Sequence, residues 1–318
     1  MIDCTSKVGD VRMIENHELN IFVNVAETMS FTEAAKRLHI SQPAVSMQIS
    51  NLESRLNTAL FDRSGRNISA TEAADVLLPM AREMLNYATH IEETMASLHG
   101  SLTGHLQIAC STSAGKYVLP HLIARFRELH PDVRVTVTVC TPESAIEHVC
   151  DARSQLGILS SEAGCRDVEY RHFFTDHVVL ITPHQHPWAK RSSVKPQELV
   201  GQPFILREET AGTHRVTQAG LLEHGIRVHD LNVVMELGNS EAIESSVEAG
   251  IGIAFVSRLV AKRFVETGHV AEVPVDGLNL RRELNMIRSS RRAQTRVQAT
   301  FWDFVYAPEN EQVLKMAA

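Results

Sequence analysis

Two helix starts with almost nothing between them, Ser30 and then Ser41-Gln42-Pro43, limit what this chain can fold into. The Ser30 hydroxyl suits the N-cap of a helix over Phe31–Leu38. Ser41 caps the next, with Pro43 in the first turn, where a missing N–H costs nothing. Only His39 and Ile40 separate the first helix from the second cap. Ala34-Ala35 offers small side chains where a crossing helix must come close. From Glu18 to Ala26, the residues Leu19, Ile21, Phe22, Val25 and Ala26 recur at helical steps and supply a preceding amphipathic helix.

The helix predicted over Gln42–Leu56 has a core stripe of Ala44 or Val45 with Ile49, Leu52 and Leu56. Its other face carries Gln42, Ser46, Met47 and Ser50, short or amide-bearing side chains able to meet base edges and phosphates in a major groove. Ala59 to Arg66 then reads as a short hairpin, with Phe61 turned inward and Arg63 and Arg66 on a glycine-containing turn. Such a basic wing suits backbone or minor-groove contact. The net charge of −7 speaks against indiscriminate nucleic-acid binding, so charge has to be read locally. Between Lys36 and Arg66, the basic residues Lys36, Arg37, Arg55, Arg63 and Arg66 outnumber Glu53 and Asp62.

Phe31-Thr32-Glu33-Ala34-Ala35-Lys36-Arg37-Leu38, Ser41-Gln42-Pro43-Ala44-Val45-Ser46, Leu52-Glu53 and Leu60-Phe61-Asp62-Arg63, in this order and spacing, resemble the LysR-type transcriptional regulators. The resemblance implies a winged helix-turn-helix in which Gln42, Pro43, Ser46 and Met47 face bases while Ser41, Arg63 and Arg66 hold the DNA backbone. The sequence departs from the family after the wing, where Ala70-Thr71-Glu72-Ala73-Ala74 replaces the usual Leu-Thr-x-Ala-Gly, and in the extra residues before Glu18. The competing reading is a three-helix assembly module that does not touch DNA.

From Thr71 to Leu98, the residues Leu77, Met80, Met84, Tyr87, Ile91, Met95 and Leu98 fall at steps of three and four, with Glu83, Glu92 and Glu93 between them. That is the pattern of a coiled-coil seam and predicts a dimer. Gly100 to Gly104 ends the helix at a hinge.

Beyond the hinge, strands and helices alternate, which predicts βαβ units and a largely parallel sheet. The first set is strand Leu106–Cys110, helix Lys116–Leu129, strand Val133–Val139, helix Ser144–Ala152 and strand Leu156–Leu159. A second set begins near Val178: strand Pro203–Leu206, helix Thr213–His224, strand Leu231–Leu237, helix Ser240–Ala249 and strand Gly252–Val256. Leu278–Ile287 and a last helix, Ala293–Val305, return to the first subdomain. Two lobes with double crossovers resemble a type 2 periplasmic-binding-protein fold, which is also the effector domain of the LysR type. The expected organisation is therefore an α+β multidomain chain. Residues 1–75 form the winged helix-turn-helix, 76–103 the linker helix and hinge, and 104–318 the α/β effector domain. In the last, lobe I is 104–177 with 273–318, and lobe II is 178–272.

Ligands of open α/β sheets bind beyond the carboxyl ends of strands, at helix N-termini. Polar clusters fall at such points: Ser111-Thr112-Ser113, Ser160-Ser161, Thr210-Ala211-Gly212-Thr213 and Asn239-Ser240. Ser111, Thr112, Ser113, Ser160, Thr210, Thr213 and Asn239 are the effector-site candidates. Hydroxyls and backbone donors suit a small carboxylate or an inorganic oxyanion. Lys116, Arg207, His214 and Arg215 stand near in sequence and read as solvated surface. By family resemblance, dimers would pair into a tetramer whose DNA bending controls access of RNA polymerase.

Other classes find little support. No apolar run approaches membrane-spanning length, and the N-terminal residues lack the order of a secretory signal, which predicts cytoplasmic residence. Cys4, Cys110, Cys140, Cys150 and Cys165 never pair as C-x-x-C, and the 16 histidines form no metal-ligand spacing. No cofactor or metal is expected. A redox couple of Cys140 and Cys150 remains an alternative trigger. Gly250-x-Gly252 reads as a turn into a buried strand, and no P-loop, G-x-S-x-G elbow or nucleophile and base constellation is legible, so an enzyme is not expected.

Overall fold

A computed structural model describes residues 13–64, 68–97, 101–160 and 167–315. The chain divides into two compact units, residues 1–95 and 96–318.

In the first unit, α1 (Asn16–Thr28), α2 (Phe31–Leu38) and α3 (Gln42–Leu56) are followed by the strands β1 (Phe61–Asp62) and β2 (Ser69–Ala70) and by α4 (Glu72–Ser97). Local chemistry sets the helix starts. Ser30 Oγ accepts the Glu33 N–H at 3.2 Å, and Ser41 Oγ accepts the Ala44 N–H at 3.3 Å. All three short helices end on a left-handed residue other than glycine: Met29, His39 and Asn57. Their inner faces meet in one core of Leu19, Phe22, Ala34, Ala35, Val45, Ile49, Leu52 and Phe61, so Val45 rather than Ala44 takes the inward place. The Phe61 ring stands 5.8 Å from that of Phe22 and 5.9 Å from that of Phe31, anchoring the antiparallel hairpin β1–β2 to the helices.

The start of α4 belongs to the same core. Ala74 and Ala81 are buried there, and Leu77, Leu78 and Leu85 pack against it. Leu77 therefore faces its own unit and leaves the predicted seam. Met80, Met84, Tyr87, Ile91 and Met95 remain exposed along the helix, and Leu98 lies outside the described residues.

The second unit contains β3 (Gly104–Cys110), α5 (Leu119–Leu129), β4 (Val133–Val139), α6 (Pro142–Cys150), β5 (Leu156–Leu159), β6 (Val168–Pro183), β7 (Pro203–Arg207), α7 (Gly212–Glu223), β8 (Asn232–Leu237), α8 (Ser240–Glu248), β9 (Ala254–Ser257), α9 (Arg258–Glu266), β10 (Val270–Val273), β11 (Leu280–Ser289), α10 (Arg296–Val305) and α11 (Glu311–Lys315). A π turn, Ala114–Val118, precedes α5. Gly115 is required in it, because a Cβ there would stand 2.7 Å from Cys110 Sγ and 2.9 Å from Val139 Cγ2.

The main sheet runs β10-β6-β11-β5-β3-β4, with β9 also on β6. Among the described strands, β3 with β4, β3 with β5 and β7 with β8 pair parallel, while β6 is antiparallel to β9, β10 and β11. The expected largely parallel sheet is therefore mixed. The chain passes between the lobes along β6 and returns along β11, and two strands running opposite ways side by side must pair antiparallel. The second set of elements does not open a new strand near Val178, because β6 is one strand of 16 residues from Val168.

Phe173 and Phe174 of β6 and Leu284 and Met286 of β11 lie in the lobe I core with Leu106, Phe126 and Phe301. Val178 and Leu180 of β6 and Leu280 of β11 lie in a lobe II core with Phe204, Leu221 and Phe255. The chain thus changes lobes at Asp176 and again at Arg282. The return comes later than the expected residue 273, since Val273, Val275, Leu278 and Leu280 all pack with lobe II.

Candidate functional site

On α3, Val45, Ile49 and Leu52 turn inward, which leaves Gln42, Pro43, Met47 and Ser50 exposed and Ser46 half-buried beside them. Two bonds fix the wing against this helix: Glu53 Oε1 accepts the N–H of Leu60 at 2.8 Å and of Phe61 at 3.1 Å. Arg63 extends from the wing over the Phe31 ring, 4.6 Å from its centroid, with Nη1 3.5 Å from Ser46 Oγ and Nη2 3.4 Å from Glu53 Oε2. Its guanidinium is held next to the exposed face of α3 and remains partly open to solvent. The Asp62 carboxyl, accepting the Ser64 N–H at 2.8 Å, is held below its ordinary range by that bond.

The local basic surplus is smaller at the surface than along the sequence. Arg55 turns away to bind the buried Glu18 through Nη1 and Nη2, at 2.7 and 2.8 Å, while Lys36 pairs with Glu33 at 2.7 Å. Arg66 lies outside the described residues.

In the second unit, a cleft of about 240 Å³ opens between the lobes. Ser111, Thr112, Ser113, Ser160, Thr210 and Thr213 all line it, together with Cys140, Arg207, Glu208, Gly212, Gly238 and Arg282. Ser161 lies outside the described residues. Asn239 is not among the lining residues: its Oδ1 caps α8, accepting the N–H of Glu241 at 2.8 Å and of Ala242 at 3.2 Å.

The cleft has two poles. At the first, Gly212 opens α7 so close to lobe I that a Cβ on it would stand 2.5 Å from Ser160 Oγ and 3.3 Å from Arg282 Nη1. Arg282 is 6% exposed, donating from Nε to Asp176 Oδ2 at 2.7 Å and from Nη2 to Ser113 Oγ at 2.6 Å. Asp176, fully buried, also accepts a bond from Ser257 Oγ at 2.8 Å. Asp176 and Arg282 are cross-strand neighbours at the point where both crossover strands change lobes. Ser111, 8% exposed, completes this pole with a hydroxyl that has no partner.

At the second pole, Arg207, 8% exposed, donates from Nε and Nη2 to the two oxygens of Glu208, each at 2.7 Å, and from Nη1 to Ser240 Oγ. Burial works against ionisation of Glu208, but the Arg207 hydrogen bonds and charge outweigh it and hold the carboxyl below its ordinary range. His214, also buried, donates from Nδ1 to the Arg207 carbonyl at 2.8 Å. Contacts between the lobes flank the cleft: Arg215 reaches Glu143 and Lys116 reaches Glu241, both at 2.7 Å.

Burial corrects the reading of Arg207 and His214 as solvated surface, whereas Lys116 and Arg215 are exposed as expected. Arg207 and His214 are buried because β7 and the first turn of α7 fold back on each other, and the other two close ion pairs across the lobes. Arg282 and Asp176 escaped notice altogether. The redox alternative fares poorly in geometry. Cys140 precedes α6 and Cys150 ends it, so the nine residues of the helix, rising about 1.5 Å each or roughly 13 Å in all, hold the two apart well beyond the roughly 4.4–6.8 Å Cα span of a disulfide. Burial also raises the Cys140 thiol, and pushes Cys110 up to about 12. Cys4 and Cys165 lie outside the described residues. Among the described residues, no group of His, Cys, Asp and Glu is placed to hold a metal, and no helix is long and apolar enough to cross a membrane.

Comparison with known proteins converges on one family. Residues 17–75 match the bacterial regulatory helix-turn-helix protein, lysR family, and residues 99–307 match the LysR substrate binding domain. The chain is 29% identical to the HTH-type transcriptional activator CmpR of Synechocystis, covering 92% of this chain and 94% of that protein. It is 32% identical to a probable RuBisCO transcriptional regulator of Cyanidioschyzon merolae, covering 89% and 95%. Among solved structures, full-length CbnR complexed with its target DNA matches with a TM-score of 0.65 at 22% identity, covering 92% of this chain and 99% of that one. The Synechocystis CcmR regulatory domain in complex with 2-PG matches with a TM-score of 0.60 at 25% identity, covering 64% and 97%. With a winged helix-turn-helix at one end and a two-lobed cleft at the other, the chain belongs to the LysR family of DNA-binding transcriptional regulators with an effector-binding domain.

Proposed function

We propose that the exposed face of α3 reads operator DNA and that a small anion bound in the cleft of the second unit controls that activity. Gln42, Pro43, Ser46, Met47 and Ser50 meet base edges in the major groove, while Ser41, Arg63 and Arg66 hold phosphates. The anion, a small carboxylate or an inorganic oxyanion, sits among Ser111, Thr112, Ser113, Ser160, Thr210 and Thr213, with Arg282 as its charge partner. Asn239 shapes the site by capping α8. The observation that carries the effector half is the unpartnered Ser111 hydroxyl beside buried Arg282 at the free N–H groups opening α7. The CcmR regulatory domain, of similar fold, was solved in complex with 2-PG.

The stripe Met80, Met84, Tyr87, Ile91 and Met95 pairs two chains, since an exposed apolar row of this spacing is costly to leave in water. Two dimers assemble into a tetramer spanning paired operator sites in the cytoplasm, and the anion changes the preferred geometry and with it access of RNA polymerase. The protein does this without catalysis.

The experiment is binding of the full-length protein to its own upstream intergenic DNA and to scrambled DNA across a salt series. Gln42→Ala should lose discrimination by about 1–3 kcal/mol, and Arg63→Ala should lose affinity for both DNAs and lower the salt slope by about one. Equal, weak binding to both DNAs by all three proteins, repeated on genome-wide fragments, would overturn the reading and favour an assembly module.

A further inference from the structure

The two poles of the cleft differ in charge, and that difference narrows the effector. The first presents a cation and groups able to donate, with no acid open to a ligand: the free Ser111 hydroxyl, Ser160 Oγ, Arg282 and the N-terminus of α7. The second presents an acid. Glu208 lines the cleft with its side chain 32% exposed, and each of its oxygens has accepted one bond from Arg207, leaving lone pairs toward the opening. Arg207 directs Nε, Nη1 and Nη2 at Glu208 and Ser240 and its side chain is 8% exposed, so Glu208 is the more open of the two charges. The pole that appears in sequence as an arginine is therefore, to a ligand, an acceptor.

Charge bookkeeping points the same way. Arg207 is balanced by Glu208 and Arg282 by Asp176, so the cleft is neutral before a ligand enters. One anionic group is welcome at the first pole. A second would stand against an ionised carboxylate in a partly desolvated site, while a hydroxyl there would donate to it.

We propose that Glu208 makes the cleft selective for small anions with a single charged head, carboxylate or phosphate, and a hydroxyl-bearing tail, and that it rejects anions charged at both ends. This rests on the anion reading above. An anion such as 2-phosphoglycolate, which carries charge at both ends, is expected to bind here poorly.

The test measures calorimetric affinities of the full-length protein for two matched pairs: glycerate against malonate, and glycerol 3-phosphate against 2-phosphoglycolate. The first member of each pair should bind at least about tenfold more tightly. Glu208→Gln should weaken the hydroxylated members and strengthen the doubly charged ones, bringing each ratio to about one or inverting it. Should that variant misfold for want of a partner to Arg207, the double variant Arg207→Gln with Glu208→Gln removes both charges together and should give the same collapse of preference. Comparison of carboxylate with phosphate pairs tells which head the first pole favours. Wild-type affinity for malonate or 2-phosphoglycolate equal to or above that of the partner, or a preference untouched in both variants, overturns the assignment to Glu208 and leaves the anion site standing. No binding by any of the four anions overturns the anion site itself, and this inference with it.

Discussion

The DNA-reading face and the effector cleft are built on opposite plans. Every described side chain of the first, from Ser41 to Arg63, comes from one stretch of chain, presented by a helix and fixed by near neighbours such as Glu53 to Leu60 and Phe61. The second draws on β3, β5, β7, α7 and β11, and its central contacts join Arg282 to Ser113 and to Asp176 across most of the unit. A local surface depends on helix periodicity and caps. An assembled one depends on a few buried charges staying exactly balanced where the strands cross, so the two should fail differently.

The sharpest contrast lies between two arginine–carboxylate pairs that differ in burial. Counting side chains alone, Arg282 is 5% exposed and Asp176 0% in the cleft pair, against 23% for Arg55 and 6% for Glu18 in the other unit. Removing one charge from a fully buried pair costs about 3–5 kcal/mol, because the remaining ion has no water to turn to. Asp176→Asn should lose that much in urea unfolding of the second unit. Glu18→Gln leaves an arginine that can reach solvent and should lose about 1–2 kcal/mol in the first. Equal losses would mean that the crossover pair is not the keystone its burial suggests.

A buried acid beside the lobe contact offers the next test. Glu244 is 1% exposed, its Oε1 lacks a partner, and burial, with the Glu241 charge adding to it, raises its pKa from 4.5 to about 8. A carboxyl raised in the folded state favours the fold when protonated, so its contribution is whole below the unfolded value and drains away as pH climbs to about 8. Glu244→Gln should therefore stabilise the second unit by on the order of 3 kcal/mol at pH 8.5 and by almost nothing near pH 4.5. A gain independent of pH would show that Glu244 is ionised throughout.

The contrast also explains what could be read from sequence. Helix ends at Ser30 and Ser41, the inward row Val45, Ile49 and Leu52, and the exposed face of α3 all follow from spacing within one segment. The hydroxyl clusters of the cleft were legible as strand-to-helix junctions. The mixed sheet was not, because the pairing of β6 with β11 depends on where a strand returns rather than on what it contains. The signal for the hinge pair was nonetheless present. Arg282 falls between Leu280 and Leu284, and Asp176 between Phe174 and Val178, each on the inward register of an alternating strand. A charge at an inward position of a strand calls for a buried partner. The misreading of Arg207 had another cause: nothing local announced that the adjacent Glu208 and the distant Ser240 would occupy its nitrogens.

The smallest predicted effect asks whether the local plan separates stability from recognition at a single residue. Ser41 has both roles: its Oγ accepts the Ala44 N–H at 3.3 Å as the cap of α3, and it is proposed to hold a DNA phosphate. Loss of a cap costs about 1 kcal/mol, so Ser41→Ala should lower the stability of the first unit by that amount and weaken DNA binding as well. Ser41→Asp keeps a capping oxygen and places negative charge at a helix N-terminus, which favours folding, but it sets a carboxylate against the phosphate. Stability should then stay at or above that of the wild type while affinity for operator and scrambled DNA falls together. If Ser41→Asp binds DNA as tightly as the wild type, Ser41 is a cap alone and the phosphate contact must be assigned elsewhere on the wing. If it loses stability as Ser41→Ala does, the cap geometry demands a hydroxyl, and even this local surface depends on more than helix chemistry.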